Sequence, residues 1–566
     1  MDYEVLSPRG DVDPIKQIGL SPRVTDLNKA TIGLCAYHKQ HYVLVLEEIA
    51  KQLQQRYPGA RFERFQYTKD PSWSNEVAEL AKDPEVGPRF EEWLKGVDTV
   101  LWSNGDAGSC ALYLAYNATL AEHLGKPTAI TVAPEYTVIA RRGAELRGVP
   151  ALRVVNIRLL DLAEEAELKR FIEVVIPELV AEVIDDVVAA LTRPLSPEEA
   201  AVPVQPQNTP RVVMKGTLRE VDKYFYRRKW AYGMPVVPPT EEAVEEMLTG
   251  TDLPRDHVVA TIPPLRGKAT VEKIAVNAVM AGCLPTHLPV VIAGVEALLS
   301  PRFWLEGYSC SMASWAPLMV VNGPVRKDLA LTGGVTLFSP YKRGNAGIAH
   351  ALGLVIMNLG GCRAGLEDMA TVGHEGRFGM CIAENEEESP WEPVHVRNGF
   401  AREDSTITLA WPNSRLFFTL PADPGLALKV MCERLATFGF DPGCTIVLSP
   451  FMAKVFQAHG LSSKDVEDYF VEYARRPGAE INVRWMKGHH HEPLNVPLPL
   501  DPTRSVRKFW SDAHLWLVVA GGNAPSAALY GGGGDHGGPI SAKIRLPDNW
   551  SALVDRYKDY EESWGG

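Results

Sequence analysis

The chain is expected to be α/β throughout. An N-terminal, doubly wound and mostly parallel sheet of Rossmann or flavodoxin type would precede a larger α/β or α+β domain. Three observations predict this. Apolar β-branched runs alternate with amphipathic stretches from residue 31 to residue 192, a proline-rich break follows, and 566 residues exceed one ordinary core.

The elements follow in order. "TIGLCAY" reads as a strand, "YVLVLEEIAKQLQQRY" as an amphipathic helix and "RFERFQY" as a second strand. "FEEWLKGV" is a short helix, "DTVLWS" a third strand and "ALYLAYNATLAEHLG" its helix. "PTAITVA", a helix through "TVIARRGAELRG", and "ALRVVNI" continue the βαβ rhythm. A helix over 165–193 closes the domain, leaving 1–30 as an N-terminal extension and 31–193 as the first domain. "PLSPEEAAVPVQPQNTP" (194–210) has no periodicity and is taken as the linker. Residues 211–566 mix helices ("TVEKIAVNAVMAG", "GIAHALGLVIMNLGG", "ALKVMCERLATFG", "SKDVEDYFVEYARR") with strands ("PLMVVNG", "STITLAW", "CTIVLS", "HLWLVVAGG"). Two lobes meeting around 415–440 are one arrangement of this part, and no fixed-period repeat is visible.

Lys and Arg total 58 against 70 Asp and Glu, a net charge of −12, which argues against a general phosphate-backbone binder and so against nucleic acid as a partner. "MDYEVLSPRGDVDP" has neither the basic start nor the apolar run of a signal peptide, and no stretch has the ~18 apolar residues of a membrane span. The eight cysteines are scattered without a CxxC, the usage of reduced thiols, so the expected compartment is the cytoplasm. A homodimer is the default expectation for assembly.

The stretch "NGDAGSC" (104–110) lies where a parallel strand should give way to a helix, the place where doubly wound sheets bind ligands. Gly105 and Gly108 allow a tight backbone, Ser109 is a reasonable N-cap, and Cys110 falls in the first helical turn. Unpaired N–H groups and the helix dipole favour a thiolate there. The alternative is a small apolar residue packed beneath the helix.

"GDAGSC", with "GKPT" after its helix and "EEWLKGVDTVL" before its strand, resembles the UGSC-motif family of thiol and selenol proteins. That family is named for selenocysteine-Gly-Ser-Cys, with cysteine often in the selenocysteine position. The likeness covers about residues 30–190. The segments "GMPVVPPTEEAVEEMLTGT", "KATVEKIAVNAVMAGCLPTHLPVV" and "ENEEESPWEPVHV" resemble the larger domain fused to it in some members. The resemblance implies redox or covalent thiol chemistry. Ala107 departs from the pattern, because it stands where the first selenocysteine or cysteine belongs. A dithiol cycle within the motif is therefore impossible. Cys35, at the end of the first strand, is either a resolving partner or a buried strand residue. His38 in the same loop is a candidate base and Lys39 a candidate anion holder, beside His41; Asp106 would orient a base or form an Asx-turn.

The larger domain offers three further clusters. "SPYKRGNAGIAHALGLV" places Lys342 and Arg343 before a glycine-containing helix start with Asn345 as N-cap, which suits a carboxylate or phosphate or is an ordinary capped helix. "VGHEGRFGMCIAENEEESPWEPVH" brings His374, Glu384 and Asn385 into one polar stretch, either a site lining with His374 and Glu384 as acid/base groups or metal ligands and Asn385 on the substrate, or a solvated acidic turn. His489 and His491 in "KGHHHEPLN" share a face in an extended chain and with His536 would suit zinc or another divalent metal, or form an exposed loop.

The leading expectation is a thiol-dependent enzyme (oxidoreductase, sulfur transferase or C–S lyase) on a small organic substrate. Cys110 would be the nucleophile, His38 the base, and Arg343 with Asn345 an anion clamp. The alternatives are a metal-dependent hydrolase or lyase built on His374, Glu384, His489 and His491, and a non-catalytic small-molecule or thiol binder.

Overall fold

Five strands, β1 (Thr31–Ala36), β2 (Arg61–Arg64), β3 (Thr99–Gly105), β4 (Thr128–Val132) and β5 (Arg153–Asn156), pair in the order 2-1-3-4-5, every pair parallel. This computed structural model describes all residues except 37–39, 66–78, 106, 159–169, 301–303, 339–340, 439–442, 478–504, 510–513, 533–538 and 562–566. β1 and β4 are buried along their whole length, as strands covered on both faces must be. Helices α1 (Gln40–Arg56) and α5 (Ile176–Thr192) cover one face through Leu46, Ile49, Leu53, Val180 and Ile184. Helices α2 (Val86–Leu94), α3 (Gly108–His123) and α4 (Thr137–Glu145) cover the other through Phe90, Leu112, Ala115 and Ile139. The doubly wound sheet expected for this region is present, and it is wholly parallel.

The strand order reverses between β1 and β3. Their carboxyl ends therefore open a crevice that the connecting helices leave on opposite sides, the switch point where such sheets take ligands.

Residues before β1 do not hang free. Tyr3–Leu6 pairs antiparallel with Val212–Gly216, and the Leu20 N–H donates to the Glu199 carbonyl at 2.8 Å. In 194–210, Pro197–Ala200 forms one helical turn under a Ser196–Glu199 capping box, and Glu199 pairs with Arg153 at 3.0 Å. Glu122 of α3 holds this layer: its buried carboxylate accepts from Ser21 N–H at 2.7 Å, Arg23 at 2.8 Å and Thr128 N–H at 2.8 Å.

The larger region contains two four-stranded sheets of identical plan. The first comprises β6 (Leu318–Asn322), β7 (Cys381–Ala383), β8 (Thr406–Ala410) and a last strand described below; the second comprises β9 (Ser414–Thr419), β10 (Cys444–Leu448), β11 (Leu515–Val519) and β12 (Ser526–Gly531). The last strand of the first sheet is β13 (Ile540–Lys543). Their orders are 7-6-8-13 and 11-10-12-9, and in each the pairs run parallel, antiparallel, antiparallel. Each half thus builds three strands and sends the next into the other sheet: β9 follows β8 but pairs with β12, and β13 follows β12 but pairs with β8. This is an internal structural duplication with exchanged strands. No sequence period betrays it, because the helices inserted between matched strands differ in number and length.

The sheets stack back to back. Leu318, Val320 and Ile382 meet Val447, Trp516, Val518 and Tyr530 between them. The alternate residues face outward: Met319, Val321 and Leu409 against α6 (Val271–Met280), α7 (Leu288–Leu298) and, further on, α9 (Arg343–Asn358). Ile446, Leu517 and Leu529 face α10 (Pro424–Thr437), α11 (Pro450–Ala458) and α12 (Ser463–Tyr473). Helix, sheet, sheet, helix is the resulting layering.

A short helix, α8 (Leu305–Cys310), joins the two regions by packing on α3. Its Glu306 accepts from the hydroxyls of Tyr116 at 3.0 Å and Tyr113 at 3.4 Å. Nearby, Arg142 of α4 reaches buried Glu367 at 2.8 Å, which Arg363 also binds. No described helix is long and apolar enough to cross a membrane.

Replacing Glu122 by Ala leaves Arg23, 1% exposed at its side chain, charged and unpaired. The expected loss is about 3–5 kcal/mol of unfolding free energy, read from the shift in a urea denaturation curve.

Candidate functional site

β3 ends at Gly105, where a Cβ would lie 2.7 Å from Val132, so the strand bulges against β4 and the chain turns out of the sheet. Helix α3 then begins at Gly108. Its N-cap is Ala107, with no side-chain hydrogen bond, and Ser109 is the second helical residue rather than the cap. Cys110 lies in the first turn, as its spacing predicts. The glycines serve close approach, not left-handed backbone: a Cβ on Gly108 would meet the Cys310 carbonyl oxygen at 1.8 Å and Met369 at 2.8 Å. The larger region therefore lies directly on the start of the Cys110 helix.

None of the eight cysteines is in a disulfide, and Cys110 alone among them is not buried. Burial pushes the Cys362, Cys381, Cys432 and Cys444 thiols up to about 12, and those of Cys35 and Cys310 well above the usual range. Cys35 is thus a buried strand residue. Cys110 sits where the first-turn N–H groups and the helix dipole favour an anion. His38, Lys39 and Asp106 lie outside the described residues.

Contacts from the larger region were not foreseen. Tyr113, one turn after Cys110, is stacked on Trp304 with centroids 6.0 Å apart and accepts from its indole N–H at 2.9 Å. Glu306 is pushed up by burial, with Glu79 adding to the shift and Arg147, Arg266 and Lys82 opposing it. No sequence signal links 304–310 or 369 to the motif, since the contacts bridge nearly two hundred residues or more.

The other described candidates occupy separate places. Helix α9 begins at Arg343 with Lys342 as N-cap, so Asn345 is not the cap. Asn345 is buried and its amide is used: it accepts from Thr332 N–H at 3.0 Å and donates to the Cys381 carbonyl at 2.8 Å. The Arg343 guanidinium lies over the Tyr560 ring at 5.6 Å.

His374 and Glu384, ten residues apart in sequence, fall at opposite ends of β7. His374 belongs to the turn before it, where Nδ1 accepts from Gly376 N–H at 2.8 Å. Glu384 follows it, accepting from Val394 N–H at 2.8 Å and from Asn322. Asn385 links the two sheets through its N–H to the Val519 carbonyl at 2.8 Å. Arg326 pairs with Glu386 at 2.9 Å and Glu387 at 3.1 Å, so the acidic run is a compensated ion network. His489, His491 and His536 lie outside the described residues. Among the described residues no group of three or more His, Cys, Asp or Glu is placed to hold a metal.

Burial pushes the Glu384 carboxyl up to about 7, against the pull of its Val394 and Asn322 bonds. The folded state therefore binds the proton more tightly than the unfolded chain, whose ordinary value is 4.5. Glu384's contribution to stability falls as the pH rises from about 4.5 to about 7. Glu384→Gln, neutral at every pH, is expected to remove up to about 3 kcal/mol of that decline, measured by urea denaturation between pH 4.5 and 8.

No curated protein and no solved structure matches the chain. The profile of the UGSC family matches residues 4–192, the span that holds the parallel sheet, the cysteine turn and the leading segment bound to them. Residues 4–192 thus form a domain of the UGSC family.

Proposed function

We propose that the protein is a thiol-dependent enzyme that acts on a small organic substrate at the switch point between β1 and β3, with Cys110 as nucleophile. The observation that carries this reading is the position of Cys110: the one cysteine not buried, in the first turn of a helix whose cap offers no competing side chain. A helix N-terminus lowers a thiol's pKa and raises its thiolate fraction. The larger region lies against the start of the same helix through Cys310 and Met369, which limits the space around that first turn. Redox, sulfur transfer and C–S bond chemistry all begin with attack by such a thiolate. With Ala107 in place of the motif's first sulfur, a cycle on Cys110 needs its second thiol from substrate or from elsewhere in the protein.

The cytoplasm, where glutathione keeps thiols reduced, suits eight cysteines without a disulfide, and a homodimer is the default assembly. A metal-dependent hydrolase on His374 and Glu384 has less support, because β7 separates the two groups. A thiol-binding protein without turnover would share the site.

The test is alkylation by iodoacetamide across pH, read by mass spectrometry with seven buried cysteines as internal controls. Cys110 is expected to react selectively, with an apparent pKa well below the ordinary thiol value of about 8.5. Reaction no faster than at the buried cysteines would sink the proposal. Cys110→Ala should abolish turnover in a screen of disulfides and thioesters; loss of binding alone would identify a binder.

A further inference from the structure

At the end of the stacked sheets opposite Asn385 lies a group of side chains that neither the Cys110 site nor the ion network uses. Tyr530, the penultimate residue of β12, points between the sheets and is 1% exposed. Its hydroxyl has no hydrogen-bond partner among the described residues. A buried hydroxyl is rarely left unpaired, since it gives up its bonds to water for nothing.

Arg415 stands directly opposite it in the β9–β12 register. The guanidinium carbon lies 5.9 Å from the Tyr530 ring centroid and 5.6 Å from that of Phe338, and the two rings are 5.3 Å apart. Arg415 is exposed and makes no ion pair with a described residue. His374 completes the group. Its side chain is 4% exposed, Nδ1 is occupied by the Gly376 N–H, and the ring proton is therefore on Nε2. Arg415 and Arg377 both act electrostatically on His374, and Arg415 and Glu375 on the Tyr530 phenol, so His374 lies within electrostatic reach of Arg415. Glu375 is turned to solvent, with its side chain 72% exposed. The buried Tyr530 hydroxyl and a guanidinium without an ion pair among the described residues thus stand beside an aromatic wall, with His374 within electrostatic reach, and exposed Phe378 lies in the loop that carries His374.

We propose that Arg415, Tyr530 and His374 form a second ligand site, distinct from Cys110, for a small carboxylate with an apolar body. The guanidinium pairs with the carboxylate, the Tyr530 hydroxyl and His374 Nε2–H donate to it, and the Phe338 ring packs on the apolar part. Arg415 is the outer layer and Tyr530 the inner one, so the ligand draws the guanidinium from the rings to the carboxylate.

The experiment titrates the full-length protein with benzoate by calorimetry, with benzyl alcohol as the uncharged control. Benzoate should saturate, and benzyl alcohol should not. Arg415→Ala, at an exposed strand position, should weaken benzoate by at least about tenfold. Tyr530→Phe discriminates further: it removes a buried hydroxyl that has no partner among the described residues, so the unliganded protein should melt no lower, yet benzoate affinity should fall severalfold. Four results would overturn the site: no saturation by about 10 mM, equal binding of benzyl alcohol, unchanged affinity in Arg415→Ala, or unchanged affinity in a folded Tyr530→Phe. Displacement of benzoate by a lower concentration of inorganic phosphate would overturn the carboxylate assignment.

Discussion

A first side-chain carbon at position 108 would sit 1.8 Å from the Cys310 carbonyl oxygen. That missing atom decides how the two regions meet. Because Gly108 offers only hydrogen, the backbone of α8 can lie against the start of α3, and Glu306 then reaches the hydroxyls of Tyr113 and Tyr116. With α8 there, the first turn of α3, which carries Cys110, lies at the contact between the two regions. The glycine of the motif is therefore as much an interface residue as a turn residue.

The exchanged strands put a similar constraint on the larger region. The first half lacks an outer strand until β13 arrives from the far end of the chain, and the second takes β9 from its neighbour. Neither sheet can be completed by contiguous sequence alone. The shared inner core of Val320, Ile382, Val447 and Val518 has the same consequence, since each sheet buries the inner face of the other. Folding of this region is accordingly expected to be one cooperative event dominated by distant contacts, the regime in which β-rich chains fold slowly.

What could be read in advance followed local physics. "TIGLCA" and "TAITV" are continuous apolar runs because parallel strands are buried on both faces, and their helices carry a clear apolar stripe. β7, β9, β12 and β13 left no such mark. β7 is three residues long, β9 alternates between partly and fully exposed positions, "SAALYG" is rich in small residues, and β13 is an edge; each exists through its pairing. Helix α7, "LPVVIAGVEAL", is buried nearly all round and so has no stripe to reveal it. The position of Cys110 was legible because its turn and helix are contiguous. Its contact with α8 was not, nor was the pairing of Arg415 with Tyr530, because those contacts join residues far apart in sequence. Proximity in sequence misled at His374 and Glu384, where one short strand intervenes.

The segment between Asp368 and Arg377 connects the two candidate sites. It starts beside Met369, which lies against Gly108, and ends next to the His374–Arg415 group. Its two ends are tied by the Arg377–Asp368 ion pair, and Arg377 is fixed again by donating Nε–H to the Trp315 carbonyl at 2.9 Å. Thr371 is anchored through its N–H to the Met312 carbonyl, also at 2.9 Å. Between these ties Val372 is 91% exposed, and Gly373 takes a left-handed backbone with open space around it. The base of the loop is thus determined by charge pairing and hydrogen bonds, and only its tip is free to move. The positions of Met369 against the thiol helix and of His374 consequently depend on one half-buried guanidinium, and whatever moves Arg377 alters both places together.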